Sequence, residues 1–206
     1  METKKQKHFH SVFDNEQKLL KAIIEIHNEG KTFDVDPMFF KGNFYKEIER
    51  PKLIFDLNPL DNSITKADAR KLPIANNSVG SIILDPPFMF GIHGQSDKYY
   101  SSRTHGIFKD FDELYLCYQS LIKEANRVLN KRGILVFKCQ DYTDSSSTMI
   151  HCIVFHLATL NEFYAKDLAI LNLPKNKVAN HNLKQRHLRK VHSYFWVFQK
   201  LNEVNK

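Results

Sequence analysis

Short apolar runs alternating with amphipathic helical stretches predict an α/β chain: a three-layer, Rossmann-like domain with a mostly parallel sheet. Four successive strand-like runs each close on an acidic residue followed by a turn. Two long apolar periodicities of helical spacing follow the fourth, separated by a fifth strand-like run. The last two strand-like runs are joined by a basic stretch without a helical pattern, which makes them an antiparallel pair.

The elements follow in order. NEQKLLKAIIEIHNEG, residues 15–30, sets Leu19, Leu20, Ile23, Ile24 and His27 on one helical face, and Gly30 is placed to end that helix in a left-handed conformation. KTFDVDP (31–37), KLIFDLNP (52–59), a shorter strand within SITKADARKLP (63–73) and VGSIILDPP (79–87) are the first four strands. DELYLCYQSLIKEANRVL (112–129) repeats Leu114, Cys117, Tyr118, Leu121, Ala125, Val128 and Leu129 at three- and four-residue steps, a long amphipathic helix. ILVFKCQD (134–141) is the fifth strand, and SSSTMIHCIVFHLATL (145–160) a second long helix with Ser and Asp capping candidates at its start. FYAKDLAILNLP (163–174) and HSYFWVFQK (192–200) close the sheet.

A length of 206 residues suits one domain with a full core, and 42% hydrophobic with 26% charged residues is ordinary for a soluble protein. The expected layout is a flexible tail over 1–12 and a single domain over 13–202, with no separate target-recognition domain. No apolar run is long enough to span a bilayer, and the charged start METKKQKHFH lacks the apolar core of a secretory signal, so a cytoplasmic location is expected. Cys117, Cys139 and Cys152 form neither a disulfide framework nor a zinc pattern, and His181, His187 and His192 are irregularly spaced without nearby carboxylates, so no metal is expected.

The net charge of +7 is concentrated in one place. Between Leu168 and Asn202 there is no Asp or Glu, but there are Lys175, Lys177, Lys184, Arg186, Arg189, Lys190 and Lys200. Such a block suits a polyanion such as nucleic acid; a solvated loop with incidental lysines is the alternative. Lys184, Arg186, Arg189 and Lys190 are the candidate phosphate contacts, which give affinity without sequence information.

Ligands of open α/β sheets bind outside the carboxyl ends of the strands. The four acidic strand ends are Asp36-Pro37, Asp56-Leu57-Asn58-Pro59, Asp68-Ala69-Arg70 and Asp85-Pro86-Pro87-Phe88. One such Asp commonly caps the next helix; four in succession on one edge point to a shared site. Adjacent prolines cannot continue a central strand, so Pro86 and Pro87 stop the fourth strand abruptly with Asp85 at its end.

Asp85-Pro86-Pro87-Phe88 resembles the (D/N/S)-P-P-(Y/F/W) signature of the S-adenosylmethionine-dependent amino-methyltransferases, which methylate exocyclic nitrogens of bases in DNA or RNA. The resemblance runs from about Phe33 to Lys200, and KADARKLPIANNSVGSIILDPPF is its most specific stretch. It implies a methyltransferase version of the Rossmann-like fold, S-adenosyl-L-methionine as cofactor, and Asp85, Pro86, Pro87 and Phe88 as the catalytic segment. Asp85 and the Pro86 carbonyl would each accept one N–H of the amine, and Phe88 would stack on a base turned out of its helix. The family's D-P-F-x-G-x-G motif, which receives the methionine moiety, aligns with Asp36-Pro37-Met38-Phe39-Phe40-Lys41-Gly42: Gly42 matches the second glycine, and Phe40 stands at the first. Asp36, Pro37 and Gly42 are thereby implied at the cofactor, with Asp36 preferred to Asp34 because it holds the motif position. Asp56 and Asn58 fit the ribose, and Asp68 and Ala69 the adenine.

MFGIHGQSDKYYSSRTHGIFKD, between Phe88 and Asp110, is long for a connector and follows the catalytic strand, so it is a candidate lid. Its Tyr99, Tyr100 and Arg103 would touch the substrate or pack the loop down. The expected function is methyl transfer to adenine N6 in DNA, DNA being favoured over RNA through the family tendency of D-P-P sites. The alternatives are an RNA base methyltransferase acting on guanine N2 or adenine N6, and a non-catalytic nucleic-acid-binding relative, which Phe40 keeps open.

Overall fold

The computed structural model describes residues 8–91, 107–143, 146–172 and 186–201. Helix α1 (Glu16–His27) starts where the Asn15 side chain accepts the N–H of Lys18 at 3.0 Å. It ends as expected, with Gly30 at φ +73° returning its N–H to the Ile24 carbonyl at 3.0 Å. Helix α2 (Phe111–Val128) is capped by Asp110, which accepts the N–H of Glu113 at 2.9 Å. Helix α3 (Ile150–Leu160) departs from expectation, because no Ser or Asp stands at its cap: Met149 holds that position without a side-chain hydrogen bond. The carboxylate of Asp141, just past the end of the preceding long strand, accepts the N–H of His151 instead, at 3.3 Å.

The strands are β1 (Val12–Phe13), β2 (Val35–Asp36), β3 (Leu53–Asp56), β4 (Thr65–Lys66), β5 (Val79–Leu84), β6 (Leu129–Cys139), β7 (Tyr142–Thr143), β8 (Ser147–Thr148), β9 (Phe163–Asn172) and β10 (His192–Lys200). β7 and β8 form a small antiparallel ladder, and the other eight make one sheet in the order β1-β9-β10-β6-β5-β2-β3-β4. β4, β3, β2, β5 and β6 are mutually parallel, while β10 is antiparallel to both β6 and β9, as the C-terminal pair was expected to be. Pairing begins inside the stretch expected as a tail: Val12 and Phe13 pair with Ile170 and Leu171, and the Ile170 N–H reaches the Ser11 carbonyl at 2.7 Å. The chain also links β2, β3, β4 and β5 without an α-helix; the first of these connections holds only a 3-10 turn, Asn43–Tyr45.

Side chains alternate across the central strands. Ile83 of β5, Ile134 and Val136 of β6 and Phe195 and Val197 of β10 pack with Leu19, Leu20, Ile23 and Ile24 of α1 on one face. Ile82 and Leu84, Leu135 and Phe137 pack on the other face with α2 and α3, through Leu114, Tyr118, Leu121, Val154 and Leu157. This gives the three layers. The chain winds outward from β2 to β3 and β4, then returns to place β5 and β6 on the other side of β2. The order therefore reverses between β2 and β5, and the crevice beyond their carboxyl ends is the switch point at which such sheets bind ligands.

The long connection from β4 to β5 is tied to α2 by backbone hydrogen bonds to an ion pair within that helix. The guanidinium of Arg127 bonds both oxygens of the buried Glu124 carboxylate, at 2.9 and 2.6 Å, and donates to the carbonyls of Ile74 and Leu72. Glu124 in turn accepts the Leu72 N–H at 2.6 Å. Burial raises the Glu124 pKa, but the hydrogen bonds from Arg127 and Leu72 outweigh it and leave the value lowered. Arg127→Ala leaves that carboxylate with one backbone partner, and the expected loss is about 2 kcal/mol in urea denaturation. An unchanged midpoint would show that the latch contributes nothing.

Candidate active site

A cavity of about 460 Å³ opens at the switch point. Its walls come from the segment after β2 (Asp36, Met38, Phe39, Phe40), the segment after β5 (Asp85, Pro86, Pro87, Phe88), the end of β6 (Lys138, Cys139, Gln140) and the start of α1 (Glu16). Two of the four acidic strand ends, Asp36 and Asp85, thus face one space, as does the whole Asp85–Phe88 tetrapeptide.

The segment after β2 is held by its own carboxylates. Asp36, 3% exposed, accepts the Met38 N–H on Oδ1 at 2.9 Å and the Tyr45 hydroxyl on Oδ2 at 2.8 Å. Burial pushes its carboxyl up to about 7 against those two hydrogen bonds, and the charges of Asp85 and Asp56 add to the rise. Tyr45 is held well above the usual phenol range by burial and then by the Asp36 charge. Phe40, at the first-glycine position of the motif, adopts φ +46°, a backbone conformation that glycine favours. Its N–H is fixed by the Asp56 carboxylate at 2.8 Å. Gly42 is required twice over: φ is +63°, and an added Cβ would lie 2.6 Å from the Phe39 ring, which stacks on Tyr45. Pro37 is buried beside this turn without lining the cavity.

After β5 the two prolines differ in role. The Pro87 carbonyl accepts the hydroxyl of buried Tyr118 at 2.8 Å, which pins the segment to α2, while Pro86 lies on the cavity wall. Asp85 Oδ2 accepts from the Lys138 ammonium at 3.0 Å, and the same ammonium reaches Glu16 of α1 at 3.0 Å. Lys138 also sits over the rings of Phe44 and Phe195, at 4.9 and 5.6 Å. Burial opposes its charge, but Asp85 and Glu16 outweigh the burial and hold its pKa above the ordinary lysine range.

The remaining predicted residues lie elsewhere. Asp56 is 1% exposed, with its oxygens accepting the N–H groups of Phe40 and Asn58, both at 2.8 Å. Asp68 is paired with Arg70, whose guanidinium donates to both of its oxygens, and that pairing lowers its pKa. Ala69 is packed into the core. Arg186 and Arg189 are exposed, and the Lys190 carbonyl accepts from Gln140 of the cavity wall at 3.4 Å. Tyr99, Tyr100, Arg103 and Lys184 lie outside the described residues. No cluster of His, Cys, Asp or Glu among the described residues is arranged to hold a metal, and no described helix is long and apolar enough to cross a membrane.

Sequence reasoning missed Lys138, Glu16 and Tyr45. Lys138 carried a signal: one charge inside the apolar run ILVFKC of a central strand must find a partner. Glu16 and Tyr45 carried none, because each reaches the site through a tertiary contact.

No family profile matches the chain, and no curated protein matches it in sequence. Among solved structures, it is similar to a 1,6-didemethyltoxoflavin-N1-methyltransferase from Burkholderia thailandensis with bound S-adenosylhomocysteine, at 10% identity over 92% of this chain and 80% of that one, TM-score 0.53. TrmN from Thermus thermophilus superposes at 15% identity over 89% of this chain and 48% of that one, TM-score 0.52. A provisionally assigned DNA modification methylase, also from Thermus thermophilus, matches 68% of this chain, with 16% identity and TM-score 0.46; the chain spans about half of that protein, 53%. The fold of this chain is the Rossmann-like α/β fold of the S-adenosylmethionine-dependent methyltransferases.

Proposed function

We propose that the chain transfers a methyl group from S-adenosyl-L-methionine to the exocyclic amine of a nucleic-acid base, adenine N6 in DNA being the favoured target. The observation that carries this reading is the position of Asp85-Pro86-Pro87-Phe88, which faces Asp36 across a ligand-sized cavity at the switch point. The cofactor, when bound, supplies an electrophilic methyl group on a cationic sulfur. The cavity suits such a cation: its charged residues are Glu16, Asp36, Asp85, Lys46 and Lys138, so ionised Asp36 makes the wall net negative. The rings of Phe39, Phe40 and Phe44 line the same space, and each already has a basic group over its face.

The chain's own residues then do three things. Asp36 and the turn through Phe40 and Gly42 hold the methionine end, and Asp56 supports that turn through the Phe40 N–H, whereas Asn58, Asp68 and Ala69, assigned to the nucleoside from the sequence, do not line the cavity. Asp85 and the Pro86 carbonyl accept the two N–H groups of the amine and aim its lone pair, with Lys138 fixing Oδ2 and Oδ1 assigned to the substrate. Phe88 packs against the base, Arg186, Arg189 and Lys190 contact phosphates, and Lys184, Tyr99, Tyr100 and Arg103 are proposed as further substrate contacts.

Calorimetry is expected to detect S-adenosylmethionine binding; no binding at millimolar cofactor overturns this reading. Labelled methyl transfer to duplex DNA against total RNA separates the two nucleic-acid substrates, and label in N6-methyladenosine or N2-methylguanosine of RNA overturns the DNA assignment. Asp85→Ala is expected to lower transfer measured at saturating cofactor by about 100-fold or more. Equal activity in that variant would refute the assigned mechanism.

The Asp36 carboxyl gives a pH dependence of known sign. Its pKa is raised to about 7, so a bound cation, which favours the ionised form, must expel a proton below that pH. Cofactor affinity should therefore weaken from pH 8 to pH 6 in the parent. Asp36→Asn should bind more weakly at pH 8 and lose this part of the slope, as followed by calorimetry at both pH values.

A further inference from the structure

One carboxylate–imidazole–thiol array lies outside the cavity. Asp141, 3% exposed, follows Gln140 at the carboxyl end of β6. Its Oδ1 accepts the His151 N–H and stands 2.7 Å from His151 Nδ1, while its Oδ2 accepts the Tyr194 hydroxyl at 3.4 Å. The Tyr194 ring stacks on the imidazole with centroids 4.2 Å apart, and the Tyr194 hydroxyl also meets His192 Nε2 at 2.8 Å. The imidazole is thus fixed at its edge and on one face. With Nδ1 directed at a carboxylate, Nδ1 carries the proton of the neutral ring and Nε2 is the acceptor. Nε2 lies 3.3 Å from Sγ of Cys152, which is exposed.

A sulfur nucleophile, a base within hydrogen-bond reach and a third group orienting that base form the arrangement of an activated nucleophile. The other two thiols differ. Cys139 is buried and Cys117 half-buried, and burial raises the pKa of both.

We propose that Cys152 is a covalent modification site for low-molecular-weight disulfides, with His151 as its base and Asp141 positioning that base. Cys152 Sγ attacks one sulfur of the disulfide as its proton passes to His151 Nε2. The S–S bond breaks, its electron pair leaves on the departing sulfur, and that thiolate recovers the proton. One mixed disulfide on Cys152 and one free thiol result, with the added disulfide as the sole oxidant. The modified sulfur sits next to His151, which with Asp141 anchors the start of α3 to the end of β6. This proposal does not rest on methyl transfer.

The 206-residue chain treated with 5,5′-dithiobis(2-nitrobenzoate) at neutral pH should release one equivalent of thionitrobenzoate in a rapid phase, and peptide mapping should place the adduct on Cys152. Cys152→Ser should abolish that phase. His151→Ala should slow it by about tenfold or more, and imidazole added to the solution should restore part of the rate, which a purely structural histidine would not permit. Rapid labelling of Cys117 or Cys139 in the parent overturns the proposal without any variant. So does a folded His151→Ala or His151→Gln chain that reacts at the parental rate.

Discussion

The arrangement at the switch point depends on one half-buried ammonium. Lys138 projects from the central strand β6 into a space bounded by Asp85, at the end of β5, and Glu16, in the first turn of α1. Without it the two carboxylates would lose the cation they share. With it, the helix of one layer, the sheet and the loop carrying the prolines are joined at a single point. An isolated buried charge is costly, so this geometry persists only while both partners stay in place. The Phe44 and Phe195 rings flank the same ammonium and add a favourable cation–ring contact on each side.

Rigidity elsewhere in the site is shared between the two segments that face each other. On the β5 side it comes from covalent restriction and one buried phenol: the prolines fix the backbone, and Tyr118 holds the second carbonyl. On the β2 side it comes from hydrogen bonds to carboxylates, with Asp36 and Asp56 each taking backbone N–H groups of the turn they precede or face. The second arrangement is the more adjustable. A carboxylate poised near neutrality changes its charge with its surroundings, whereas two proline rings do not.

Much of the architecture was legible because it follows from period and punctuation. Ile82, Ile83 and Leu84 in one run, followed within two positions by a pair of prolines, read as a doubly covered strand that stops. The helical face Leu19, Leu20, Ile23, Ile24 and the stop at Gly30 follow from the same kind of reading. The α3 cap was not legible, since its acceptor, Asp141, belongs to the end of β6 and not to the serine-rich stretch beside the helix. Likewise the four acidic strand ends read as equals in the sequence and are unequal in space: two face the cavity, one is turned onto the Phe40 and Asn58 amides, and one is closed on Arg70. Phe40 shows the opposite case. Its residue type argued against a glycine-like turn, yet the Asp56 carboxylate and the packing around it hold the backbone in that conformation.

The position of β10 carries a consequence for how this sheet is built. The last of the described strands in chain order lies between β9 and β6, not at an edge. Until residues 192–200 leave the ribosome, β6 and β9 each expose an unpaired row of backbone donors and acceptors in the middle of the future sheet. The sheet of the nascent chain therefore stays open until that strand emerges, and its core closes in one late, long-range step. A chain interrupted before His192 would carry two open strand edges, a form that chaperones and proteases recognise.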